Sequence, residues 1–170
     1  MKLDIRRGFT KTGISCEGKP LFIIKSTRFL SSEKIICHID GSPAYSVKRD
    51  PHPLDRRDKY IFTNCDTKNE FFAWVDRDMC HNRTMTLYKY LVAGPVRLCI
   101  EAESFFGELC IEHTVLKRFN ISINGKKCGS ITSRMISCDE IDDPGLLSVL
   151  YVFSLYILSG EEYYRAADAI

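Results

Sequence analysis

The chain has 170 residues, 45% apolar and 27% charged, with a net charge of +2. That length corresponds to about one domain, and the composition excludes collagen-like, disordered and multi-span membrane classes. A chain of this size buries about 70% of its unfolded surface, so it needs no disulfide or metal to hold a core. The small net charge is no footprint for nucleic acid.

Residues 1–10 are charged and hold no apolar run, so no signal peptide is expected and the thiols are expected to stay reduced in a cytoplasmic setting. Residues 1–28 contain Lys2, Arg6, Arg7, Lys11, Lys19, Lys25 and Arg28 against Asp4 and Glu17. The first stretch is therefore basic and the remainder net acidic.

Most of the chain then reads as strands. Residues 34–40, 59–65, 70–75 and 85–91 are rich in β-branched and aromatic residues, which suit a pleated surface. Val96, Leu98, Ile100 and Ala102 alternate with polar neighbours or Cys99. So do Leu109, Ile111 and His113, and Phe119, Ile121 and Ile123. A period of two marks strands with one buried face. Asp40-Gly41, Asn124-Gly125 and the polar run 66–69 sit between such stretches, and Asp-Gly and Asn-Gly tolerate the positive φ of tight hairpins. Gly94-Pro95 and Gly107 are further breaks. Turns at 40, 66, 94 and 124 hint at a repeated strand-turn-strand unit. Residues 49–58, with Pro51 and Pro53, are expected to form a long exposed loop.

One segment departs from this pattern. Asp142-Asp143-Pro144-Gly145 precedes thirteen residues, 146–158, in which only Ser148 and Ser154 are polar beyond two tyrosine hydroxyls. Asp before Pro is a helix start, since the carboxylate caps free N–H groups and proline fits the first turn. Gly160 is the expected stop, which places a central helix at about 144–159 and a tail at 160–170. A helix apolar on every side must be buried on every side. Thirteen residues span only about 20 Å, too short to cross a bilayer. A solitary apolar helix after many half-buried strands is best buried by wrapping those strands around it. The whole of 1–170 is read as one domain.

The chemistry-bearing residues point away from catalysis. Eight cysteines are spread without any C-x-x-C, so zinc-finger, ferredoxin and thioredoxin spacings are missing, and most are expected to be buried small hydrophobes. A disulfide framework, with the sequons at Asn82 and Asn120, applies only to an exported chain. Cys37-His38 and Cys80-His81 are neighbours whose side chains point to opposite faces of a strand. His52 and His113 have no metal-ligand spacing to a partner. Phosphate-loop, nucleophile-elbow and dinucleotide fingerprints do not occur. The expectation is a non-enzyme with no metal and no cofactor. Phe71, Phe72, Trp74, Phe105 and Phe106 are expected to fill the space between strands and helix.

Charge suggests more. Lys48-Arg49, Arg56-Arg57 and Lys126-Lys127 are basic pairs, with Lys117-Arg118 beside them. Each such residue near an anionic leaflet contributes about 1 kcal/mol. If they converge, Lys48, Arg49, Arg56, Arg57, Lys126 and Lys127 form an anion- or lipid-binding set with charge-assisted hydrogen bonds.

The run of hairpins, the stretch Phe119-Asn120-Ile121-Ser122-Ile123-Asn124-Gly125-Lys126-Lys127, then Gly129-Ser130-Ile131 and Ser133-Arg134, then Asp142-Asp143 and the apolar 146–158, resembles the tubby C-terminal-like superfamily. The similarity is to its LURP-one-related branch and covers roughly residues 14–160. It implies a mainly β fold: a closed antiparallel barrel of about twelve strands enclosing a hydrophobic C-terminal helix. The superfamily also includes the phosphoinositide-binding tubby domain and the phospholipid scramblases. This chain lacks the scramblases' clustered cysteines, Asp142 and Asp143 read as helix caps, and no tubby phosphoinositide motif is present.

Three functions are weighed. The first is a non-enzymatic, monomeric binding or scaffold domain that associates with anionic phospholipid headgroups as a peripheral membrane protein. The second is a regulatory protein–protein interaction module with no small ligand, acting through its surface or tail. The third is a hollow barrel carrying an apolar ligand, which requires an amphipathic helix outside the barrel.

Overall fold

The computed structural model describes residues 1–8, 11–26, 33–50, 59–76, 97–101, 109–114 and 118–167. Within them the protein is mainly β, an antiparallel sheet followed by one C-terminal helix. The strands are β1 Lys2–Arg7, β2 Thr12–Cys16, β3 Lys19–Ser26, β4 Glu33–His38, β5 Pro43–Asp50 and β6 Lys59–Asn64. They continue with β7 Glu70–Asp76, β8 Arg97–Glu101, β9 Leu109–His113, β10 Phe119–Ile123, β11 Lys126–Ile131 and β12 Met135–Cys138. Helix α1 is Pro144–Ala167.

Consecutive strands pair in order, and β1 pairs with β12 as well as with β2. Between β8 and β9, Arg97 pairs with Glu112. The basic start of the chain is thus a strand inserted between β2 and β12. Its Leu3 and Ile5 point inward and Lys2, Asp4 and Arg6 outward, a two-residue period too short to stand out in the sequence. Arg49 and Asp50 belong to β5, paired with Tyr60 and Lys59, so the first two residues of the expected loop at 49–58 are strand, and 51–58 lie outside the described residues. The expected strand at 85–91 and the breaks at Gly94-Pro95 and Gly107 lie outside the described residues.

The hairpin chemistry is local. Asn124 and Gly125 have φ of 50° and 76°, and Glu17 and Gly18 have 49° and 78°. Both pairs are two-residue turns with positive φ, which matches the right-handed twist of the flanking strands. Glu17-Gly18 is a turn the sequence reading passes over, because glutamate signals a turn less strongly than asparagine or aspartate. Gly41 has φ of 92°, and the Asp40 carboxylate accepts from the Ser42 hydroxyl at 2.6 Å and its N–H at 2.9 Å. Those bonds hold the Asp40 carboxyl below its ordinary range. Asn64 Oδ1 accepts from the N–H groups of Asp66 and Thr67, ordering the β6–β7 turn.

One core joins sheet and helix. Leu3, Ile14, Ile36, Val47, Phe62, Ile111, Ile121, Ile131 and Ile136 from the strands cluster with residues of α1. From Leu147 to Ser154 every helix residue is at most 2% exposed. Successive helical residues are rotated by about 100°, so eight in a row cover every direction around the axis. Residues 147–154 are therefore buried on every side, which is not the one-sided burial expected of an amphipathic helix lying outside a hollow barrel. The polar atoms of this stretch are satisfied internally. Ser148 Oγ donates to the Pro144 carbonyl and Ser154 Oγ to the Tyr151 carbonyl, both at 2.7 Å, as buried helical hydroxyls must.

Asp143 starts the helix. Its Oδ1 accepts from Gly145 N–H at 2.7 Å, and Pro144 takes the first helical position, while Asp142 is exposed beside it. The other end differs from expectation. α1 continues through Gly160 to Ala167, and Gly160 is not among the glycines with positive φ. Glycine in a helix costs only about 1 kcal/mol relative to alanine, and the Glu, Arg and Ala that follow are good helix formers.

Tyr45 braces the helix start. Its hydroxyl donates to Asp143 Oδ2 at 3.1 Å and accepts from Asn64 Nδ2 at 3.2 Å. Burial first, then the Asp143 carboxylate, push the Tyr45 phenol from 10.0 up to about 12. The folded protein keeps this proton to higher pH than the unfolded chain does. The contribution is full below the unfolded value near 10 and is lost as pH rises through about 12. Urea midpoints are expected to fall across that window, and to fall less in Tyr45→Phe. A Tyr45→Phe profile identical in shape to wild type would remove this explanation.

At β11–β12 the backbones approach closely because Gly129 faces Cys138. A methyl at Gly129 would strike the Ser137 carbonyl and lie 2.9 Å from Cys138 Cα. Both obstacles are backbone and cannot rotate away. Gly129→Ala is expected to cost roughly 1–3 kcal/mol, read as a lower denaturation midpoint. An unchanged midpoint would mean that the two strands can part without loss.

Candidate functional site

Every neighbouring pair of strands is antiparallel, so odd-numbered and even-numbered strands run in opposite directions. The hairpins β2–β3, β4–β5, β6–β7 and β10–β11 share one end of the sheet with the β12–α1 connection, where the helix enters. The β1–β2 and β11–β12 connections and the ends of β3, β5 and β9 lie at the opposite end, toward which α1 runs. The expected repeat at 40, 66 and 124 is this alternation, since all three turns fall at the entry end.

The two ends differ in charge. Entry-end turns carry Glu17, Asp40, Asp66, Asp139, Glu140, Asp142 and Asp143, against Lys68. The strand starts Lys2, Lys19, Lys126 and Lys127 offset part of this, with Glu70 on the acidic side. Among the described side chains, at the exit end stand Arg6, Arg7, Lys11, Lys34, Lys48, Arg49, Arg118 and Arg134, against Glu33 and Glu112. The linear asymmetry of the first 28 residues is not the spatial one: Lys2 and Lys19 lie at the entry end, and Arg6, Arg7 and Lys11 at the exit.

Three of the exit-end cations lie on the inner face. Arg7 follows the inward pair Leu3 and Ile5. Lys34 is in register with buried Val47, and Arg49 with buried Tyr60. Arg7 is oriented by the helix. Its Nε donates to the Tyr151 hydroxyl at 2.8 Å, and its guanidinium carbon lies 5.8 Å from the centre of that ring. The same bond satisfies a phenol that is only 1% exposed. One turn and a half later, the Tyr156 hydroxyl donates to the Val47 carbonyl at 3.3 Å, and its ring lies 5.6 Å from that of Tyr60. Burial raises the Tyr156 phenol well above its ordinary value.

The six residues expected to bind anions do not meet. Lys48 and Arg49 are successive on β5, with Lys48 exposed and Arg49 half-buried on the inner face, as strand alternation requires. Lys126 and Lys127 are exposed at the start of β11, at the other end and six strands away in the sheet order. Arg56 and Arg57 lie outside the described residues. Arg7 and Lys34 are not in that set of six: Arg7 stands out in the sequence only as one of the basic residues of 1–28, and the alternation in β1 and β4 is the signal that places both.

The catalytic alternatives find no geometry among the described residues. No three His, Cys, Asp or Glu side chains gather as metal ligands. His38 packs its ring on Phe22 at 5.4 Å and Cys37 is buried. Phe71 packs on the core while Phe72, its neighbour in β7, is 44% exposed, so the expected aromatic filling holds for Phe71 and fails for Phe72, because strand neighbours face opposite ways; the Trp74 side chain, Phe105 and Phe106 lie outside what is described. No helix among the described residues is long and apolar enough to cross a membrane. Comparison with known proteins returns no matching family model, no matching characterised protein and no matching solved structure.

Proposed function

We propose that this protein is a non-enzymatic binding domain that docks its basic end on anionic phospholipid headgroups, with the sheet closed as a barrel around α1 in the manner of the tubby-like and LURP-one-related folds. The observation that carries the reading is the segregation of charge by end. Cations crowd the end toward which the helix runs, and acidic turns crowd the other. An end-on approach brings several Lys and Arg within a Debye length of a negative surface while the acidic turns point away. The pairing of β1 on both sides supports closure.

Flotation with phosphatidylserine vesicles at low salt tests this. The protein is expected to float with anionic vesicles, to stay behind with phosphatidylcholine, and to detach at high salt. Glutamate at Arg6, Lys48 and Arg118, all exposed at the exit end, is expected to weaken binding at least hundredfold, from about 1 kcal/mol per lost cation. Glutamate at Lys126 and Lys127 is expected to leave it intact. Equal effects from both ends, or no flotation, would reject the end-on reading. The second outcome favours the protein-interaction module, for which Phe72 on β7 and Ile39 beside the Asp40 turn are, among the described residues, the exposed large apolar ones.

A further inference from the structure

Cys128 and Cys138 are ten residues apart in the chain, and nothing in their spacing marks them as a pair. The ladder brings them together. On β10, Ile121 pairs with Gly129 and Ser122 with Lys127, so Cys128 is the extra residue of a β-bulge. In a regular strand Cys128 would face away from Gly129's neighbour Cys138. The bulge re-aims it inward. Gly129, lacking a side chain, lets β12 come close enough for contact. The result is a buried contact with Sγ of Cys138 3.6 Å from Sγ of Cys128. Both residues belong to the core, Cys128 8% and Cys138 0% exposed.

We propose that Cys128 and Cys138 are a reversible disulfide site that staples β11 to β12. The sulfurs need to move from 3.6 Å to about 2 Å, within reach of side-chain rotation between adjacent strands. The co-reactant is a small-molecule disulfide such as oxidised glutathione. The Cys128 thiol, the more exposed of the two, loses its proton and attacks one sulfur of that disulfide, releasing one small thiol and leaving a mixed disulfide on Cys128. The Cys138 sulfur then attacks the Cys128 sulfur, gives up its proton, and releases the second small thiol. Two protein thiols are oxidised and one small disulfide is reduced to two thiols. Burial raises the Cys128 thiol to about 12, so little thiolate is present at neutral pH and the exchange is slow there. The staple sits at a structural junction. β12 pairs with β1 on its other side, the Met1 amine donates to the Cys138 carbonyl, and Asp139 N–H donates to the Cys128 carbonyl at 3.0 Å. Five residues later α1 begins.

The chain supplies its own assay, because Arg134 lies between the two cysteines. Native protein is incubated with oxidised glutathione at mildly alkaline pH, free thiols are alkylated in denaturant, and a tryptic digest is mapped without reductant. The expected product joins the peptide 128–134 to the peptide beginning at Met135, and dithiothreitol separates them. The melting temperature of the oxidised protein is expected to rise by about 5–10 °C, since a short loop is closed in the unfolded chain. Cys128→Ser and Cys138→Ser are each expected to lose both the linked species and the shift. The wild-type map stands whether or not these variants fold. Recovery of both peptides alkylated, or of 128–134 joined to another cysteine peptide, would overturn the assignment.

Discussion

Replacing Leu150 by aspartate is expected to abolish folding. Leu150 is 0% exposed in the middle of eight buried helical residues and belongs to the hydrophobic core cluster. An ionised carboxylate placed there must either stay charged in an apolar medium or take up a proton at neutral pH, and both are costly. A loss above about 5 kcal/mol is comparable to the whole stability of a typical domain. Near-ultraviolet circular dichroism and limited proteolysis would show the collapse. Leu150→Met keeps the volume and is expected to cost under about 1.5 kcal/mol. A soluble, cooperatively unfolding Leu150→Asp protein would mean that α1 is not enclosed.

The next largest effect is expected from Phe153→Ala. Phe153 is 0% exposed, and its ring meets the edge of Tyr60 at 4.6 Å and of Phe62 at 5.7 Å. These contacts tie α1 to β6 of the sheet. Truncation removes the ring and leaves a cavity between elements that cannot collapse together, with an expected cost of about 3–5 kcal/mol. Urea unfolding should show a lower midpoint with an unchanged slope. Phe72→Ala on the outward face of β7 is the control, expected within about 0.5 kcal/mol of wild type. Equal losses from the two substitutions would indicate that the inner face is not where the aromatic energy lies.

Much of this architecture was legible from residue order alone. The alternation in 109–113 and 119–123 placed strands where β9 and β10 lie, and Asn124-Gly125 placed the hairpin after β10. Asp143-Pro144 located the start of α1, because capping and proline geometry act within four residues. Lys2-Leu3-Asp4-Ile5 and Glu17-Gly18 carry the same physics in fainter form, too short or too weakly turn-like to stand out. Gly160 misled for a different reason: a left-handed glycine stop is a preference of about 1 kcal/mol, and continuing hydrogen bonds outweigh it.

The candidate site was the harder part. Lys48-Arg49 and Lys126-Lys127 are each adjacent in sequence, yet strand alternation splits the first pair between two faces and the sheet order puts the second pair six strands away. Arg7, Lys34 and Arg49 are far apart in the chain and share one end, because antiparallel pairing returns every second connection to the same place.

Local signals therefore determined the elements themselves: strand period, turn residues, the apolar helix and its cap, all set by interactions a few residues long. Tertiary structure alone decided what those elements bring together. The separation of charge between the ends comes from strand direction, the orientation of Arg7 from Tyr151 on the buried helix, and the meeting of Cys128 with Cys138 from one extra residue in a ladder. Each depends on register across hydrogen-bonded neighbours, and register is a property of the assembled sheet.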